Sequence, residues 1–140
     1  MTHFVLHPRL AADTWPVGDL PLSRLLLMND RRFPWCILVP RRERLRELHE
    51  LAVHERETLM EEICQVSLAL MGRNDVEKVN VGALGNLVPQ LHVHVVGRHS
   101  TDAAWPGPVW GHRQALGYAP EEASRRVDAL QDACGIRSAR

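Results

Sequence analysis

The sequence predicts an α+β domain, and three features carry that prediction. Two pairs of short apolar or alternating runs are joined by turn-forming residues, one long segment between them has apolar residues at helical spacing, and a shorter helical segment lies near the C-terminus. A length of 140 residues suits one domain whose core needs no disulfide or metal staple.

Residues 1–20 mix charged, polar and apolar groups, and WPVGDLP reads as a turn-rich stretch whose prolines and glycine limit regular structure. SRLLLM (23–28) and WCILVP (35–40) are apolar runs separated by NDRRFP, a turn by its Asn, Asp and Pro; together they predict an antiparallel hairpin. A helix is predicted at about 54–71, where Leu59, Ile63, Val66 and Leu70 fall at i, i+4, i+7 and i+11. Glu55 and Glu57 suit its first turn, where the helix dipole favours them, and Gly72 suits its end. KVNVGALG and LHVHVV alternate at period two around GNLVP and predict a second hairpin. AAWPGPVWG is a Trp- and Pro-rich loop, and PEEASRRVDALQDAC starts with Pro120 and two glutamates, as a short terminal helix does.

Composition narrows the function. Seventeen basic residues balance 17 acidic ones, which argues against a general nucleic-acid or membrane-surface binder. Cys36, Cys64 and Cys134 are odd in number and form no CxxC pair; they read as reduced thiols of a cytosolic protein, two packed in the core and one near the end. No apolar run reaches the length of a signal h-region or a membrane span, so the cytoplasm is the expected location. GALGN lacks the GK[ST] ending of a P-loop, and there is no GxGxxG. RRERLR reads as a solvated approach to the helix, with Arg41 placed to steer an anionic substrate.

The chemistry concentrates in VPQLHVHVVGRH (88–99). On a strand, Gln90, His92 and His94 share one face at spacings of about 7 Å, while Leu91, Val93 and Val95 take the other. If the preceding strand pairs here, Asn80 lies near the histidine row. Three readings compete. The histidines are polar surface residues; or HxH is a zinc pair whose third ligand would be Cys36, His99 or His112, none at a recognisable spacing; or a neutral imidazole is a nucleophile whose neighbours hold the anion under attack.

NVGALGNLVPQLHVHVV resembles the signature of the histidine triad (HIT) superfamily of nucleotide hydrolases and transferases, in which three histidines alternate with apolar residues after a glycine-bearing turn. FPWCILVPRR is similar to the family strand that ends in Val or Ile and Pro before a basic residue, LHEL precedes the long helix, and WPGP resembles the family's Trp-Pro segment. The resemblance covers roughly residues 22–111 and leaves 112–140 as a C-terminal extension of a single domain spanning 1–140. It implies a mostly antiparallel sheet of about five strands with the long helix across one face, and a homodimer with a continuous sheet.

The resemblance also implies chemistry. His92 takes the place of the family nucleophile and would attack the α-phosphorus of a nucleotide, leaving a nucleotidyl-histidine that water or another acceptor resolves. His94 would donate to a phosphate or departing oxygen, and backbone N–H groups of Gly85, Asn86 and Leu87 would stabilise the anion; no metal or cofactor is required. Asn29 or Asp30 would hold ribose hydroxyls, although both residue types are also ordinary turn formers. Leu27, Phe33 and Trp35 are base-pocket or core residues, and Trp105 and Trp110 close the site, meet a dimer partner or anchor their loop. Two departures stand out: Gln90 replaces the first triad histidine, and Asn86-Leu87 replaces the usual Gln followed by Ser or Thr. Gln90 has both a donor and an acceptor but carries no proton at neutral pH. The expected function is therefore nucleotide hydrolysis or nucleotidyl transfer, with a nucleotide-binding regulator as the alternative.

Overall fold

Each predicted strand pairs as an antiparallel ladder in a computed structural model that describes residues 3–137. The strands are β1 (Thr14–Asp19), β2 (Ser23–Met28), β3 (Trp35–Pro40), β4 (Lys78–Gly82) and β5 (Val93–Arg98), and they form one sheet in the order β1-β2-β3-β5-β4. β3 and β5 are buried along their whole length, which explains why WCILVP is continuously apolar. The first hairpin matches its sequence boundaries. β5 starts later than the alternation of LHVHVV implies, so Gln90 and His92 lie on its approach and only His94 is inside it.

The N-terminal stretch is more regular than its composition suggests. A short helix, α1 (Pro8–Asp13), begins with Pro8, and the His7 ring nitrogen Nδ1 accepts the Arg9 N–H at 3.1 Å. β1 follows as an edge strand, the position in a sheet that tolerates Pro16, with an irregularity in register between Pro16 and Gly18. A Cβ on Gly18 would come within 2.4 Å of Ile136, so only glycine admits the chain following the last helix here.

The long helix, α2 (Val53–Met71), buries Leu59, Val66 and Leu70, with Ile63 half-buried beside them. The Glu55 carboxylate accepts the Ala52 N–H at 3.1 Å and caps the start; Glu57 lies beyond the first turn. Glu62 is buried within the apolar stripe and accepts the Leu22 N–H at 2.7 Å. The terminal helix, α3 (Pro120–Cys134), ends at Gly135 in the left-handed conformation, φ 64°.

Side chains alternate across the sheet into two cores. Leu25, Leu27, Cys36, Leu38, Val93 and Val95 pack under α2 and α3. Leu26, Phe33, Trp35, Ile37, Val39 and Val96 pack under Leu10, Val88 and Val109. The histidine row lies on this second face, which is packed rather than open. Cys36 and Cys134 are buried and Cys64 is exposed, so the accessible thiol is in the middle of α2 and not near the chain end. Among the described residues no helix is long and apolar enough to cross a membrane.

Candidate active site

The turn before β5 positions the first imidazole. Gly85 takes a left-handed φ of 69°, Asn86 and Leu87 project outward, and Val88 returns into the core. Gln90 follows, and its backbone carbonyl lies 2.7 Å from His92 Nδ1. A carbonyl only accepts, so Nδ1 carries a proton, and in the neutral ring that tautomer leaves the lone pair on Nε2.

His94 is set the opposite way. The Trp35 indole N–H donates to its Nδ1 at 3.0 Å, and an indole nitrogen only donates, so the His94 proton is on Nε2. Burial, with His92 close by, lowers the His94 pKa from 6.5 to about 3, which keeps the ring neutral. The two imidazoles have centroids 4.9 Å apart at 67°. One offers a nucleophilic nitrogen and its neighbour a hydrogen-bond donor. This pairing is fixed by a main-chain carbonyl on one side and an indole on the other, with no charged group in either contact.

Trp110 closes the row. Its ring packs edge-on against His94 at 5.5 Å and Trp35 at 6.4 Å. Gly82 faces His94 in the ladder, and a Cβ there would come within 3.0 Å of the Trp110 ring. The loop that carries Trp110 is anchored by Arg98, 1% exposed, which pairs with Asp102 at 2.7 Å and donates to the Gly107 carbonyl at 2.8 Å. Burial would raise the Asp102 carboxyl, but Arg98 and the Ala104 and His99 N–H groups outweigh it and hold its pKa at about 2.

The remaining candidates divide clearly. Gly85 and His92 line one cleft of about 270 Å³, with Arg46 at its edge; Asn86 and Leu87 are exposed beside it. Asn80 is on the histidine face, but its side-chain oxygen accepts from Arg98 at 2.8 Å. Gln90 does not face His94. Its amide donates to the Val5 carbonyl at 2.9 Å and accepts the His7 N–H at 2.8 Å, holding the N-terminal segment. Asn29 accepts from the Trp15 indole and the Tyr118 N–H at 2.9 Å each, on the helix side of the sheet. Asp30, 1% exposed, pairs with Arg32 at 2.8 Å and accepts the Leu116 N–H at 3.4 Å. Arg41 donates to the Leu20, Pro21 and Leu22 carbonyls and is not free to steer a substrate.

The zinc reading finds no donor set. Cys36 is in the core under the helices, His99 Nδ1 is 2.8 Å from the Thr101 hydroxyl, and among the described residues no three His, Cys, Asp or Glu groups cluster for a metal. Sequence reasoning missed the orienting role of Trp35, while Trp110 packs against the row as one of the places offered for it. For Trp35 a signal existed, because position 35 is two residues from Ile37, the ladder partner of His94, and shares its face.

The HIT domain family model matches residues 10–101. A histidine triad protein from Bradyrhizobium japonicum is 46% identical, with a TM-score of 0.90 over 94% of this chain and 98% of that one. A HIT protein from Sinorhizobium meliloti is 44% identical, with a TM-score of 0.92 over 95% and 98% of the two chains. A third, from Marinobacter aquaeolei, is 44% identical with a TM-score of 0.88 over 94% and 96%. No curated protein matches the sequence. A domain match that contains both imidazoles, joined to this identity over nearly the whole chain, establishes that the chain belongs to the histidine triad (HIT) family.

Proposed function

We propose that the protein hydrolyses or transfers nucleotidyl groups, acting at the α-phosphorus of a dinucleoside polyphosphate, nucleoside phosphoramidate or similar adduct. The opposed tautomers of His92 and His94 carry this reading. The His92 Nε2 lone pair forms a bond to phosphorus while the bond to the leaving group breaks. The leaving group departs with that electron pair and takes its proton from solvent, with the His94 Nε2–H hydrogen-bonded to a reacting oxygen. Water then attacks phosphorus, the electron pair of the P–N bond returns to Nε2, and the water proton goes to solvent. Backbone N–H groups from Gly85 to Leu87 are the proposed oxyanion donors. Asn29, Asp30, Asn80 and the Gln90 side chain, each committed to protein partners, act as framework.

The working unit in this reading is a homodimer. β4 is an edge strand with one ladder side unpaired among the described residues, and Val81, Met60 and Leu48, 50%, 56% and 45% exposed, line an apolar groove of about 390 Å³ beside it. A second copy paired along β4 covers this surface and continues the sheet.

Mass spectrometry after incubation with adenylated and guanylated substrates tests the chemistry. The expected result is a nucleotidyl adduct on His92, with turnover abolished in a folded His92→Ala variant. Full activity in that variant would sink the covalent scheme. Tight nucleotide binding without adduct or product would favour a nucleotide-binding regulator, the reading that the Gln90 replacement supports.

A further inference from the structure

The segment RRERLR runs beside the approach to β5, and three of its four arginines are committed to protein partners. Arg41 donates to the Leu20, Pro21 and Leu22 carbonyls, Arg42 pairs with Glu55, and Arg44 meets Glu43 at 3.7 Å. Arg46 differs. Its exposed guanidinium pairs with no carboxylate or carbonyl among the described residues, and Glu50 accepts the Arg46 and Glu47 backbone N–H groups instead, at 3.0 and 2.7 Å. The backbone here is fixed against the site, because the Leu45 carbonyl accepts the N–H of Leu91, the residue before His92, at 2.8 Å. Arg46 and His92 line the same cleft of about 270 Å³.

The site offers an amine leaving group no acid. The Gln90 side chain is turned to Val5 and His7, and His94 is a neutral ring whose pKa is held at about 3 by burial, with His92 close by. An amine departs with a basic lone pair and needs a proton, since its conjugate acid has a pKa of about 8 to 10. A phosphate departs as an anion, with a second pKa of about 6, and needs cationic or N–H donors instead. Arg46 supplies such donors at the cleft, and its planar fork matches phosphate oxygens. Glu47 lines the cleft as well and offsets the charge at longer range, so the contact acts through directed hydrogen bonds to one phosphate rather than through a broad positive field.

Resting on the proposed attack by His92, we infer that Arg46 is a specificity residue that contacts the phosphate next to the one under attack and selects a phosphate leaving group over an amine. When the bond from the α-phosphorus to the bridging oxygen breaks, that oxygen leaves with the electron pair as part of the departing phosphate. The Arg46 guanidinium donates to the other oxygens of that phosphate.

Turnover of diadenosine triphosphate and of the p-nitrophenyl ester of AMP tests this, because both transfer the same adenylyl group and the second has no phosphate in its leaving group. Arg46→Gln should lower kcat/KM on the triphosphate about tenfold and leave the ester within about twofold. Arg46→Lys, which keeps the charge, should recover part of the loss. Equal losses on both substrates, no loss on the triphosphate, a loss as large in Glu47→Gln, or faster turnover of adenosine phosphoramidate than of the triphosphate by the parent protein would each overturn the inference. Binding separates this result from the fate of the covalent scheme: in a folded His92→Ala background, Arg46→Gln should weaken diadenosine triphosphate about tenfold. That loss of affinity in a protein whose parent forms no adduct on His92 would overturn the chemistry and support the Arg46 contact, whereas unchanged affinity would overturn the contact.

Discussion

The side-chain oxygen of Gln90 accepts the His7 N–H at 2.8 Å, and the same amide donates to the Val5 carbonyl at 2.9 Å. The backbone carbonyl of Gln90 meanwhile accepts a hydrogen bond from His92 Nδ1–H. One residue thus ties the N-terminal segment to the sheet and sets the tautomer of the neighbouring imidazole. Gln90→Ala removes both side-chain bonds. Water can replace them in part because Val5 is 76% exposed, so the expected loss is about 1 kcal/mol in urea unfolding, with faster hydrogen exchange at the His7 amide. Unchanged exchange at His7 would show that the amide does not hold the segment.

Gln90→His restores three imidazoles in the family spacing but gives up the paired bonds to Val5 and His7. Because position 90 faces the N-terminal segment, the variant should lose stability and gain little rate. A rise in kcat of more than about tenfold, the size of a useful proton-transfer contribution, would place residue 90 in the chemistry instead.

His94 makes stability depend on pH. Its folded pKa of about 3 lies below its ordinary 6.5, so as pH falls below 6.5 the unfolded chain takes a proton that the folded chain refuses. Its contribution to the pH dependence is absent above that point, and the resulting loss continues until pH approaches 3. Between these limits one such group contributes a slope of about 1.4 kcal/mol per pH unit. Urea unfolding from pH 7 to 4 should show a shallower slope in His94→Gln, which keeps an acceptor for the Trp35 indole. Parallel slopes would show that protonation of His94 is not what acid unfolding reads.

Pattern alone made the sheet centre and α2 legible, because alternation and the Leu59-Ile63-Val66-Leu70 stripe report burial directly. β1 escaped because an edge strand with an irregular register carries Pro16 and Gly18 where a central strand would carry apolar residues. The histidine row was legible, since His92 and His94 share a face by spacing, but its orientation was not. Trp35, Trp110 and the Val5–His7 backbone meet the row from distant sequence, and no periodicity encodes contacts across 59 or 83 positions. The partners of Asn29 and Asp30 were hidden for a related reason: their side chains hold residues 116–118, a segment whose path only the fold reveals.

Trp35→Phe separates orientation from packing. It keeps a ring against His94 but deletes the N–H that holds Nδ1 as an acceptor. His94 is then free to populate the other tautomer, in which Nε2 is a lone pair and donates nothing to phosphate. The ¹⁵N shifts of the imidazole should report mixed tautomers, and kcat should fall by about tenfold with little change in KM, the pattern of a lost transition-state donor. An unmixed Nε2–H tautomer in the variant would mean that packing alone, and not the indole, selects it.

The buried pair of Arg98 and Asp102 holds the Trp110 loop against the site. Its side chains are 2% and 1% exposed, so removing one partner leaves the other as an uncompensated interior charge. Arg98→Met should cost about 3–5 kcal/mol in urea unfolding, because it strands Asp102 and also frees the Asn80 oxygen and the Gly107 carbonyl. Asp102, now without its cation, loses the main influence that holds its pKa near 2, so the variant should be relieved at acid pH relative to neutral pH while the parent is not. The double variant Arg98→Met, Asp102→Asn tests the assignment, since it removes both charges. It should recover part of the loss, and a double variant no more stable than Arg98→Met would show that the lost hydrogen bonds to Asn80 and Gly107, rather than the stranded carboxylate, dominate the cost.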